Sequence, residues 1–445
     1  RLRQASPRRH RTVMIIHPDR DALQNEIHAR PRQPVATPQR VSHIALLRPA
    51  RGAHEAAHEA APDPLERLCA ERGVAAPDSR DGHFFADFGA FRLKRERHGE
   101  FDDYTVYCDG GDPRDPFALP AIDALPDGWL DTLPGALIAA VHVALLPARE
   151  MPDDPSGAAT AFGASELSGA SIADGAACAF TDFRADARGF TRILVLDRSL
   201  SAHYAGRVVQ RLIEVEVYRL MAMLAFPLAR ASASELDGVE ASLGALVARL
   251  ESAPVEEEPE LLREISRLAG TVERIAASVG FRFGAARAYH ALVRQRGAEL
   301  RQQRLPKLQT LTAFLERRFD PAMAFCESVG RRIEAIAERI ARASALLRTR
   351  VEIERERHNQ ELLAAMNRRA KLQLHLQQTV EGLSVAAITY YGAGIAGYLF
   401  KAMKSIGWPV DPELATGLSI VPIAVAVALG VRHIRAGIRR RLGGS

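Results

Sequence analysis

Apolar and polar positions alternate irregularly over residues 41–200, then settle into a helical period that runs to the end of the chain. In the first region five short runs have the length and composition of strands: residues 41–47, 84–93, 104–108, 136–146 and 191–196. Turn-rich pieces such as 109–116 and 152–156 separate them. This pattern predicts an α+β domain. From Ser201 onward helices are predicted at 206–226, 235–251, 260–279 and 281–305, with Pro227, the acidic link 254–259, Pro306 and Pro321 as breaks.

From residue 322 to about 383 there is no proline, and Gly330 is the single glycine before Gly382. A continuous helix there is roughly 90 Å long at about 1.5 Å per residue. Ile333, Ile336, Ile340, Ala343 and Leu347 follow a 3-4-3-4 spacing that puts them on one seam. Such a stripe calls for a partner helix, in the same chain or in a neighbouring subunit. Residues 352–361 then carry charge nearly all round and read as a solvated stalk.

Two later stretches, 383–400 and 414–431, are each eighteen residues without a charge. Eighteen helical residues span about 27 Å, close to the ~30 Å hydrocarbon of a bilayer. Arg432, Arg435, Arg439, Arg440 and Arg441 follow the second stretch, and Arg368, Arg369 and Lys371 precede the first. The connecting loop mixes Lys401 and Lys404 with Asp411 and Glu413. The larger positive clusters mark the cytoplasmic side, so both termini are expected to be cytoplasmic. Within the first stretch Gly392 and Ala396, and Ala393 and Gly397, stand four apart; Ala424 and Ala428, and Ala426 and Gly430, do so in the second. Small residues at this spacing allow close helix approach, within the hairpin or between subunits, and Pro422 predicts a kink.

The expected order is therefore a disordered arm (1–13), a cytoplasmic α+β domain (14–200), a helical section (201–320), a long stalk helix (321–382), a transmembrane hairpin (383–431) and a basic cytoplasmic tail (432–445). A chain of 445 residues with 47% apolar and 25% charged residues belongs to folded rather than disordered proteins. A net charge of +5 does not call for nucleic acid as a partner. Cys69, Cys108, Cys178 and Cys326 lie far apart without CxxC spacing, which excludes a zinc-finger pattern and a small disulfide framework. The Arg- and Pro-containing start lacks the apolar core of a secretory signal.

Candidate chemistry is sparse. His54-Glu55-Ala56-Ala57-His58 matches the HExxH spacing of zinc hydrolases, but it sits in an Ala/His/Glu repeat without bulky apolar residues to bury such a helix. It reads as a decoy, and no metal, cofactor or catalytic residue is expected. Two dense polar clusters are the ligand-binding candidates: His17, Glu26, His28 and Arg30, and then Glu96, Arg97, His98 and Glu100. A structural salt-bridge network explains such clusters too, and it is the preferred reading. In the first span, Tyr390, Tyr391, Gly392, Gly394, Ala396 and Gly397 are the candidates for helix packing or a pore. P-loop, nucleophile-elbow and dinucleotide fingerprints are lacking in the sequence.

Several segments together carry a resemblance. They are His17-Pro18, 25–31 (NEIHARP), 42–47 (SHIALL), Glu96-Arg97-His98 with Glu100-Phe101, 180–184 (FTDFR), 206–212 (GRVVQRL) and 380–391 (VEGLSVAAITYY). From about residue 14 onward the chain resembles a bacterial family of uncharacterised membrane-anchored proteins, domain of unknown function thirty-four twenty-two. That resemblance implies the anchored architecture and a bacterial inner-membrane location, and no activity. More distantly, the order of α/β unit, long helix and two spans resembles the CorA-type magnesium channels, and Tyr391-Gly392 is similar to the start of their YGMN signature. Ala393 and Gly394 replace its Met and Asn, which puts magnesium selectivity in doubt. These readings converge on an α+β domain, an all-α section with a long stalk helix, and a C-terminal two-helix transmembrane hairpin. The expected function is a membrane-anchored scaffold or sensor without enzymatic activity, partnered by the lipid bilayer and by further copies of itself. A CorA-like ion channel or transporter is the alternative.

Overall fold

The structure is a computed structural model that describes residues 17, 18, 20, 33–48, 63–77, 82–150, 155–163 and 166–442. Two compact units divide the chain: residues 252–262 with 344–445 form one, and the remainder forms the other. Among the described residues the larger unit has nine strands: β1 (Gln39–Leu47), β2 (His83–Asp87), β3 (Arg92–Arg97), β4 (Phe101–Asp109), β5 (Ala136–Pro147), β6 (Ser168–Ile172), β7 (Ala177–Thr181), β8 (Thr191–Asp197) and β9 (Gln303–Arg304). Their order across the sheet is β2-β3-β4-β1-β5-β8-β7-β6-β9. All neighbours are antiparallel except β5 and β8.

Alternation along the central strands buries both faces. Val41, Ala45, Phe101, Val141, Val143 and Val195 pack with Val208, Val209, Leu212 and Met221 of the helix Ala202–Met223. On the other face Ile44, Leu46, Leu93, Tyr104 and Val106 pack with Leu65, Leu68 and Cys69 of the helix Pro64–Arg72 and with Trp129. All four cysteines are buried.

Three features depart from the sequence reading. The run at 84–93 is a hairpin rather than one strand. Asp87 Oδ1 accepts the Gly89 N–H at 2.8 Å, and Gly89 takes φ +80°, so the chain reverses between β2 and β3. Strands β6 and β7, rich in small residues, were not foreseen. Prolines begin helices here rather than end them: Pro227 is the third residue of Ala225–Ser252, and Pro259 and Pro321 are the second residues of Glu258–Glu299 and Asp320–Ser405. In a first turn the missing N–H costs no hydrogen bond, so proline is tolerated. Gly280 likewise interrupts nothing, and Glu258–Glu299 is a single helix.

Helix Asp320–Ser405 runs unbroken for 86 residues and includes the first apolar stretch. The predicted stripe Ile333, Ile336, Ile340, Ala343 and Leu347 is buried in the single chain. Arg332 bonds Asp237 at 2.7 Å, and His290 bonds Asp320 at 3.0 Å, which ties this helix to its neighbours within the larger unit. The stripe thus finds its cover in its own chain. Residues 352–361 are exposed apart from the half-buried Glu354, as a solvated segment should be.

In the smaller unit, Arg350 pairs with the buried Glu258 at 2.7 Å. Gly407, at φ +99°, ends the long helix, and Pro412–Leu442 follows with Pro422 inside it. Among the described residues, two helices are long and apolar enough to cross a membrane, and neither apolar window has a buried residue.

Candidate functional site

The polar cluster on β2, β3 and β4 arises from register. His83 of β2 is opposite Glu96 of β3, and Glu96 is opposite Asp103 of β4. Directly opposed residues project to the same face with Cβ atoms about 4.5–5.5 Å apart. The next row, two residues along, is Lys94 opposite Thr105, and Thr105 opposite His43 of β1. These polar rows share the face that carries Val41, Ala45, Phe101 and Tyr107, so a set of charges lies at the margin of an apolar core. His98, from the turn after β3, closes the group and stacks on Phe101 with ring centroids 4.3 Å apart.

Lys94 Nζ lies 2.6 Å from Glu96 Oε2, and His98 Nε2 lies 2.9 Å from Asp103 Oδ2. Single ligand atoms of Glu96, His98 and Asp103 fall within 4.8 Å of one another. Burial alone would raise the Glu96 carboxyl, but His83 and the Lys94 ammonium overcome it and hold it at about 2. Burial lowers the His43 imidazole, whose Nδ1 bonds Thr105 Oγ1 at 2.9 Å. Burial, reinforced by the carboxylates of Glu214 and Asp103, raises the Tyr218 phenol on the covering helix.

Hydrogen bonding in the cluster is incomplete. Among the described residues, both ring nitrogens of His83, Nε2 of His43 and Oδ1 of Asp103 are buried without a hydrogen-bond partner. Each such group costs about 1–3 kcal/mol if left unmet. Water or another polar group would satisfy these four atoms.

The predicted candidates separate accordingly. Glu96 and His98 come together. Arg97 alternates to the opposite face, where it is opposite Asp102. Glu100 turns to the helix Glu258–Glu299, pairing with Arg282 at 2.7 Å and accepting from the Tyr289 hydroxyl at 2.8 Å. His17 is apart from these in sequence, and its carbonyl accepts the Arg20 N–H. Glu26, His28 and Arg30 lie outside the described residues, as do His54 and His58 of the HExxH match. His83, His43, Lys94 and Asp103 were missed. A signal was available, since Lys94, Glu96 and His98 recur every second residue, the period that places side chains on one face of a strand.

In the first apolar stretch Gly392, Ala396 and Gly397 are half-buried, whereas Tyr390, Tyr391 and Gly394 are exposed. A Cβ at Gly392 would meet Ile423 Cγ2 at 3.0 Å, and one at Gly397 would meet Thr416 Oγ1 at 3.2 Å. The small-residue face therefore packs within the hairpin. At Gly394 nothing stands within 4 Å of that position.

No curated protein and no solved structure matches the chain. A family model does match, over residues 16–438, and it covers the sheet, the helices and both apolar stretches. The chain belongs to the family described as Protein of unknown function (DUF3422).

Proposed function

We propose that the protein is a membrane-anchored sensor or scaffold, not an enzyme, held at the bacterial inner membrane by the two apolar helices with both termini cytoplasmic. The observation that carries this reading is that both charge-free windows lack any buried residue, while the larger unit has a complete core of its own. Apolar helices of this length that find no cover in their own chain need a bilayer or other copies. The polar cluster on β2–β4 supplies the sensing side, because its unmet donors and acceptors favour a polar or ionic ligand. Self-association is assigned to the spans rather than to the Ile333–Leu347 stripe, which is already buried.

Reporter fusions test the anchor. Fusions at the N-terminus and after Ser445 should read cytoplasmic and one at Gly407 external. A periplasmic signal from the fusion after Ser445 would overturn the hairpin. Purified protein should also co-float with phospholipid vesicles in alkaline carbonate. Ion flux through such vesicles, absent with a span-deleted chain, would favour the CorA-like channel over the sensor.

A further inference from the structure

We propose that His83, Glu96, His98 and Asp103 form a binding site for a divalent first-row transition metal. This deepens the sensor reading by naming the ligand class. The first reason is geometric. A tetrahedral ion with bonds of about 2.0–2.1 Å sets its ligand atoms about 3.4 Å apart. The atoms of Glu96, His98 and Asp103 already lie within 4.8 Å of each other, with His98 Nε2 and Asp103 Oδ2 at 2.9 Å. His83 Nδ1 is 3.7 Å from Glu96 Oε1 and makes a fourth donor in the same cross-strand row.

The second reason is independent of distances. Asp103 is buried and, among the described residues, its Oδ1 has no hydrogen-bond partner, nor has either ring nitrogen of His83. A cation satisfies lone pairs that the protein leaves unmet. Two imidazoles with two carboxylates suit zinc and its neighbours better than magnesium or calcium, which prefer all-oxygen sites.

Lys94 does not exclude the ion. It holds Glu96 Oε2, which leaves Oε1 directed toward His83. Outer hydrogen bonds of this kind orient metal ligands. The rigid antiparallel register supplies the rest of the pre-organisation, since three of the four residues are fixed opposite one another on adjacent strands.

The test uses the full-length chain in detergent, stripped with a chelator and titrated with zinc chloride by calorimetry. One zinc per chain is expected. Asp103→Asn and His98→Gln should each weaken binding on the order of 10- to 100-fold or more. The double substitution His54→Ala with His58→Ala should bind as the wild type does. Asp103→Asn is nearly isosteric, and its thermal melting without metal reports its folding. Cobalt(II) added to the wild-type chain gives a readout that needs no variant: visible d–d bands without thiolate charge transfer are expected for this donor set. Wild-type protein that takes up no zinc, zinc binding that Asp103→Asn leaves unchanged, or binding that follows His54 and His58 would each overturn the proposal. Zinc binding and vesicle association are read separately, so the metal site and the anchor can fail independently.

Discussion

Glu96 and Asp103 lie directly opposite one another on β3 and β4, two buried carboxylates on one face of the sheet. Like charges in that position repel. Lys94, bonded to Glu96 at 2.6 Å, and His98, bonded to Asp103 at 2.9 Å, offset the repulsion.

Removing the lysine exposes what it compensates. Lys94→Met keeps the length of the side chain but leaves Glu96 buried beside Asp103 without its cation. Breaking a buried pair from one side costs about 3–5 kcal/mol. A lower urea midpoint with an unchanged denaturant slope is the expected result. Adding Glu96→Gln to Lys94→Met should recover much of the loss, because no unpaired carboxylate then remains at that position. A Lys94→Met protein as stable as the wild type would show that the pair contributes nothing.

Acid should weaken the sheet through His142. Its ring stacks on Phe190 with centroids 3.9 Å apart, and its Nδ1 lies 2.9 Å from Ser42 Oγ, which accepts the Ile122 N–H at 3.0 Å. Burial lowers its pKa from 6.5 to about 4. The folded state therefore binds fewer protons than the unfolded state between those values, and stability falls as pH drops through that window. At about 1.4 kcal/mol per unit, the loss approaches about 3 kcal/mol at pH 4. His142→Phe keeps the stacking and should flatten this part of the pH dependence, at a cost near neutrality of about 1–2 kcal/mol for the stranded Ser42 hydroxyl. His43, lowered in the same direction by burial, leaves a residual slope. Identical acid profiles for variant and wild type would contradict the assignment.

Glu100 fastens the β3–β4 turn to the helix Glu258–Glu299. Its two oxygens take the Arg282 guanidinium at 2.7 Å and the Tyr289 hydroxyl at 2.8 Å. Arg282 and Glu100 have side-chain exposures of 17% and 16%, low enough that water cannot replace the pair freely. Glu100→Ala should cost about 1.5–3 kcal/mol, as for a partly buried hydrogen bond to a charged group. Glu100→Gln, which can still accept from Tyr289, should lose less. Chemical denaturation of the two variants side by side distinguishes them, and equal losses would remove the role given to Tyr289.

Much of this arrangement was legible in the sequence, and the misses share causes. The central strands, the buried stripe and the charge-free stretches were readable because one physical signal, apolar periodicity, dominates each of them. Strand β3 reads Arg-Leu-Lys-Arg-Glu-Arg and contains one apolar residue, so composition speaks against a buried strand. What makes its burial possible is ion pairing that composition does not announce: Arg95 with the distant Asp63 at 2.6 Å, and Lys94 with Glu96 at 2.6 Å. Gly206 illustrates another hidden constraint. A Cβ there would come within 2.0 Å of the Gln33 carbonyl oxygen, a close approach that no local pattern announces. Most of the polar cluster is hidden in the sequence for the same reason: His83 and Asp103, for instance, join Glu96 only through strand register.

The last prediction separates two roles for glycine in the first span. Gly392 faces the second span, where an added Cβ would lie 3.0 Å from Ile423 Cγ2. Gly394, two residues on, faces open space in the single chain. Tyr391 and Tyr398, exposed at 70% and 76%, lie three residues before and four after it, on neighbouring turns of the same outward side. In lipid, helices associate where small residues let backbones approach, and a leucine at such a point prevents the approach. Gly394→Leu should therefore lower the oligomer order in mild detergent while leaving the hairpin and its insertion unchanged. Gly392→Leu should instead disturb the packing of the two spans within one chain, read as faster proteolysis in the loop around Gly407. Analytical ultracentrifugation and limited proteolysis on both variants give a two-by-two outcome. If wild-type protein sediments as a monomer at concentrations well above cellular ones, the spans serve only as an anchor. The channel alternative falls in the same experiment, because two helices cannot enclose a pore without further copies.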